Sequence, residues 1–269
     1  MRRMILVVCA LVFTGAATGL LAQEEQTASA ASLYNDGLGK IKEKSYAEGL
    51  MLMEQALEAA DSSSETDVKV MALAKKNGAI AAYYVGTSKR KADDFEGALA
   101  AYEQGVDYNP GFYANYIGRA QALEGLEQKA EAVAAYIAAG EVCDKAKKAD
   151  KAQTMFDKAE NMVGVAWGDK DWGTVMAMAA SFLESRESAN VNYYLSDAYL
   201  AEGDQDKALM HADKAIEAAA AGEGDKYVMQ KAEILEAKGD NAGAVALYKQ
   251  ITDSKYVERA KYKIDQLGS

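Results

Sequence analysis

Small and apolar residues recur along this chain in a triplet spaced +4 and +3, the step that keeps side chains on one face of a helix. The triplet occurs six times: Gly49/Met53/Ala56, Ala98/Tyr102/Gly105, Ala132/Tyr136/Ala139, Val175/Ala179/Phe182, Ala208/Ala212/Ala215 and Ala244/Tyr248/Ile251. Its first members lie 49, 34, 43, 33 and 36 residues apart, and the two long intervals hold extra sequence of helical character at 62–77 and 146–155. Twelve positions before each triplet stands another residue, small in five of six cases: Gly37, Gly86, Ala120, Val163, Ser196 and Ala232. Small residues at that offset let two antiparallel helices approach closely. The helices are joined by short turns such as Ala201-Glu202-Gly203-Asp204 and Ala237-Lys238-Gly239-Asp240. The glycines suit the left-handed position after a helix, and the aspartates can cap the next one. Over 254–267, Tyr256, Val257, Ala260, Ile264 and Leu267 share one face and predict a last amphipathic helix.

This pattern resembles the tetratricopeptide repeat (TPR), a helix pair of about 34 residues with small residues at its eighth, twentieth and twenty-seventh positions. The unit at 79–112 carries Gly86, Phe95, Ala98, Tyr102 and Pro110 in that register. The units at 113–146, 189–222 and 225–258 follow with Ala120, Ala132 and Ala139, with Ser196, Ala208 and Ala215, and with Ala232, Ala244 and Tyr248. Two further units, near 30–63 and 156–188, depart from it, with Gly49 in place of alanine and Val175 and Phe182 at small positions. The resemblance implies an all-α, TPR-like α-solenoid over residues 30–269, with six antiparallel helix pairs. The helix at 254–267 would cap the apolar face that the last pair otherwise leaves open.

Composition agrees with an all-helical chain. There is one proline in 269 residues, and half of the residues are hydrophobic. Residues 1–22 stand apart: Arg2 and Arg3 precede an almost wholly apolar or small run ending in Leu20-Leu21-Ala22. This reads as a secretory signal peptide cleaved after Ala22, in preference to a retained membrane anchor or lipid attachment at Cys9. A polar leader follows over 23–29. Cleavage removes two positive charges, taking the net charge from −11 to −11 − 2 = −13. So acidic a chain is unsuited to phosphate-led nucleic-acid binding, and no membrane span is expected beyond residue 22. The expected location is exported, periplasmic or otherwise associated with the cell envelope.

Candidate chemistry is sparse. His211 is the only histidine and Cys143 the only cysteine after residue 22. His211 is expected to be half-exposed on its helix, and Cys143 to be a half-buried apolar residue. The pairs Asp169/Asp171 and Asp204/Asp206 lack the further oxygen ligand, glycine and glutamate of a calcium loop and read as helix-capping turns. No nucleophile motif, metal site or cofactor is expected, and the chain is not read as an enzyme.

What the resemblance implies for function is partner binding along the concave face made by the first helix of each pair. Carried over position by position, the groove residues are Tyr83, Thr87, Arg90 and Lys91, then Ile117, Gln121 and Glu124, then Asn190, Tyr193, Asp197 and Leu200. Lys226, Met229, Glu233 and Glu236 complete the row, with Tyr34 and Leu38 extending it. Tyr102, Tyr136 and Tyr248 are assigned to the core. The expected function is a protein–protein interaction scaffold or adaptor of the cell envelope. The alternatives are an envelope-assembly or secretion component, and a carbohydrate or small-ligand binder that uses aromatics such as Trp167 and Trp172.

Overall fold

A computed structural model describes residues 28–268. The signal peptide read at 1–22, and the leader at 23–29 except for its last two residues, lie outside them. The described residues form thirteen helices: α1 (Ala30–Lys42), α2 (Tyr46–Glu58), α3 (Glu65–Lys91), α4 (Phe95–Tyr108), α5 (Tyr113–Gly125), α6 (Lys129–Lys145), α7 (Ala149–Gly168), α8 (Trp172–Leu183), α9 (Ala189–Ala201), α10 (Gln205–Glu217), α11 (Asp225–Lys238), α12 (Asn241–Tyr248) and α13 (Ser254–Leu267). They pack in chain order as six hairpins and a terminal helix, an all-α, TPR-like solenoid.

The triplets build its core. Every residue of all six is buried, as is each of the six residues twelve positions upstream. The small residues are there to admit large ones. Tyr102 of α4 lies between α3 and α5, and a methyl group added at Gly118 would come within 2.2 Å of its ring. A methyl added at Gly86 would come within 2.8 Å of the same ring. Tyr136 and Tyr248 are buried in the same way, 3% and 1% exposed.

One turn recurs along the chain. Gly203 (φ 84°) and Gly239 (φ 86°) occupy the left-handed region expected of them. So do Lys44, Asp93, Glu127, Lys147 and Lys170, at φ of 58–65°. The left-handed conformation turns the chain back after a helix, and the residue after it starts the next one. Asp94, Asp171, Asp204 and Asp240 each accept a hydrogen bond from the backbone N–H three residues on. The aspartates proposed as capping turns at 171 and 204 are therefore caps.

The two long intervals lengthen helices. Residues 65–77 extend α3 to 27 residues, beginning at Ser64, whose Oγ accepts from the Asp67 N–H. Residues 149–155 contain no glycine or proline to stop a helix, so α7 starts at Ala149, seven residues before the repeat register at 156. The α6–α7 connection is as tight as the turns within the pairs, with Lys147 left-handed. As a result α7 packs closely against α6, and α8 also rests on α6. α5 and α7 are bridged by Lys158, whose Nζ lies 2.8 Å from Glu124 Oε1. At the far end α13 lays Tyr256, Ala260, Ile264 and Leu267 against Met229, Ala232, Ala244 and Tyr248, and so caps the stack.

Candidate partner-binding clefts

The first helices of successive pairs, α3, α5, α7, α9 and α11, contribute the walls of two clefts. The first has a volume of about 470 Å³ and is lined by Arg90, Gln121, Glu124, Tyr136, Met155 and Lys158, among others. Glu124 is its electrostatic centre: it accepts from the Tyr136 hydroxyl (2.6 Å) and from Lys158 (2.8 Å). Burial opposes its charge, yet these two donors hold its carboxyl below the usual range. Burial and the same carboxylate raise the Tyr136 hydroxyl in turn. Arg90 Nε is buried here without a hydrogen-bond partner.

The second cleft, about 450 Å³, is lined by Trp167, Tyr193, Tyr194, Asp197, Lys226, Met229, Gln230, Glu233, Tyr256 and Arg259. The rings cluster, with Trp167 5.1 Å from Tyr194 and 5.8 Å from Tyr193 between centroids, and Tyr193 5.9 Å from Tyr227. Asp197 accepts from Trp167 Nε1 (2.8 Å) and Gln230 Nε2 (2.6 Å). Burial nevertheless raises its carboxyl above the usual range. Glu233 is raised for the same reason, against the pull of Arg259. Arg259 Nη2 approaches Glu233 Oε1 to 2.5 Å, but that oxygen is buried and accepts no well-directed hydrogen bond. Burial, with the Asp197 charge second, pushes Tyr193 up to about 12.

The structure thus brings Arg90, Gln121 and Glu124 into one cleft, and Tyr193, Asp197, Lys226, Met229 and Glu233 into the other. The remaining groove candidates are engaged elsewhere or stand outside both clefts. Tyr34 accepts from Asn77 Nδ2 (3.2 Å) across α1 and α3. Tyr83 packs edge-on against Phe112 and Tyr84, and Thr87 shares a hydrogen bond with the Tyr102 hydroxyl (3.1 Å). Ile117 and Leu200 pack on buried clusters. Asn190 ties Glu160 to Lys226 and Tyr227. Glu236 accepts from the Tyr248 hydroxyl and from Lys263. Lys91 is exposed beyond both clefts. Trp172, proposed with Trp167 as a stacking aromatic, packs on the central core instead.

The groove positions of the repeat register do not include Gly125, Tyr136, Thr154, Met155 and Lys158 of the first cleft, or Tyr194, Gln230, Tyr256 and Arg259 of the second. Tyr194 and Gln230 sit beside registered groove positions, Tyr193 and Met229, and a full helical-wheel projection reaches them. Tyr256 and Arg259 come from the cap helix, which has no repeat position to assign.

His211 and Cys143 differ from expectation in burial. His211 is 7% exposed, stacked on Tyr199 with centroids 5.4 Å apart. Its Nδ1 lies 2.9 Å from Asn192 Oδ1, and Asn192 Nδ2 donates to the Ser188 carbonyl, so Nδ1 carries the proton. Burial lowers its pKa to about 4. Cys143 is fully buried, and burial raises its thiol. The helix packing of α10 and α6 decides both; the sequence register placed them only near the buried face. Among the described residues no cluster of three or more His, Cys, Asp or Glu could hold a metal ion, and no helix is long and apolar enough to cross a membrane.

No family model matches the chain, and no curated protein matches it. Solved structures similar to it include a thermophilic TPR protein from Thermus thermophilus, 14% identical, covering 88% of this chain and 99% of that one, with a TM-score of 0.30. Another is a tetratricopeptide repeat protein from Parabacteroides merdae, 11% identical over 89% and 99%, TM-score 0.35. A third is YrrB, described as a TPR protein with an unusual peptide-binding site, 19% identical over 81% and 96%, TM-score 0.34. Scores this low say nothing about how the units are arranged or what they bind. The chain's own hairpins, buried small-residue triplets and recurrent turns define an all-α, TPR-like fold.

Proposed function

We propose that this protein is an exported interaction scaffold of the cell envelope, which holds a segment of another protein along the face built by its first helices. One observation carries the reading. Successive first helices line two clefts with side chains that recognise partners well: tyrosines, a tryptophan, an arginine and half-buried carboxylates. Gln121 in the first cleft and Tyr256 in the second are the positions for a photo-crosslinker. Crosslinking in the native host is expected to attach the same partner at both positions, and Arg90→Ala and Tyr193→Ala are expected to abolish it. Products that survive both substitutions, or none at either position, overturn the reading. Mass spectrometry of the mature protein tests export, with Gln23 expected as its first residue.

A further inference from the structure

We propose that the cleft between α7, α9, α11 and α13 is a receptor for an arginine side chain carried on a segment of the partner protein. The inference rests on the scaffold reading and adds the chemistry of what is held. The walls are aromatic: Trp167, Tyr193, Tyr194 and Tyr256. The polar groups between them are acceptors in excess of what the protein itself supplies with donors. Gln230 is 5% exposed, and both of its used contacts are donations from Nε2, to the Tyr193 carbonyl (2.9 Å) and to Asp197 Oδ1 (2.6 Å). Because both partners are acceptors, the amide orientation is fixed and Oε1 is the atom left without a partner. A buried acceptor left unmade is costly. Three residues further along the same helix, Glu233 Oε1 is also buried without a well-directed donor.

A planar cation with several N–H groups answers all of these features. A guanidinium stacks on aromatic faces, carries five donors and tolerates partial desolvation better than an ammonium. The cleft already shows the affinity in two places. Lys226 Nζ lies 5.8 Å from the Tyr193 ring centroid and 4.6 Å from that of Tyr227, held there by Asn190 Oδ1 at 2.6 Å. Arg259 reaches in from the cap helix toward Glu233 but remains 60% exposed and off hydrogen-bond line. It stands where the incoming side chain would bind, and that side chain would displace it from Glu233. The acidic chain as a whole, at −11, attracts a basic segment and repels an acidic one.

The test uses a display library of random peptides selected on the full chain, with affinities of selected peptides measured by calorimetry. Peptides enriched in arginine are expected. Replacing the shared arginine by citrulline, which keeps the shape and removes the charge, is expected to weaken binding at least about tenfold, as loss of one partner of a desolvated charge pair does. Asp197→Asn is expected to do the same. Arg259→Gln is expected to strengthen binding several-fold, a gain that misfolding cannot produce. Peptides that depend on either cleft but show no arginine enrichment, or that bind the same with citrulline, overturn the arginine receptor and leave the scaffold reading standing. If no selected peptide responds to substitutions in either cleft, the scaffold reading falls with it.

Discussion

At the scale of single residues, two positions show how far packing overrides local chemistry. His211 folds with a pKa of about 4 against an ordinary 6.5, because burial disfavours its charged form. The unfolded chain therefore binds a proton that the folded chain refuses between those values. The neutral side chain contributes stability that is fully present above pH 6.5 and is lost as pH falls toward 4, by up to about 3 kcal/mol. His211→Gln is expected to flatten the fall in melting temperature across that window; an unchanged slope would place the acid sensitivity elsewhere. Gly118 is the second case. A methyl group there meets the Tyr102 ring, which α3 backs from the other side. Gly118→Ala is expected to destabilise by about 1–3 kcal/mol, the usual range for overpacking, read as a lower urea midpoint.

At the scale of elements, the turn between helices is the repeated device. Five non-glycine residues adopt positive φ where Gly203 and Gly239 do so at little cost. An L-residue in that region is strained by about 1–2 kcal/mol, part of which the greater freedom of glycine in the unfolded chain offsets. Lys170→Gly is accordingly expected to stabilise by about 0.5–1 kcal/mol, and Gly203→Ala to destabilise by a similar amount, both read from urea midpoints. The glycine turns were legible in the sequence because glycine signals the geometry. Their five equivalents were not, since lysine, aspartate and glutamate carry no such signal and are held there by the hairpins they join. The lengthened α7 belongs at this scale too. Its composition permits a helix anywhere in 149–168, and only the tight turn at Lys147 fixes where it begins and binds it to α6.

At the scale of the whole molecule, stability and binding meet at the C-terminal end. Without α13 the cluster around Met229, Ala244 and Tyr248 loses its cover, and an uncovered terminal repeat exposes an apolar face. A chain truncated before Ser254 is expected to melt earlier and to self-associate with rising concentration in sedimentation. Sedimentation as a stable monomer would contradict the capping role. The same truncation removes Tyr256 and Arg259 from the second cleft, so the cap is also part of the candidate site. The ion pair between units made by Lys238 with Asp206 is largely exposed and steers packing more than it stabilises it.

The sequence alone determined the fold class, the six buried triplets and the small residues opposite them. These follow from a helical period and from side-chain volume, and both are local properties of the chain. It also placed much of the first-helix face, including Tyr193, Asp197 and Glu233, because the repeat register assigns each of those positions. Only the tertiary structure decided which of these residues meet. Thr87, Asn190 and Glu236 carry the right register but spend their polar atoms on neighbouring side chains. Gln230 carries no groove register and yet holds the unused acceptor. Arg259 enters the cleft from a helix outside the repeat. Whether a polar atom is free depends on which helix stands across from it, and that is set by packing between units.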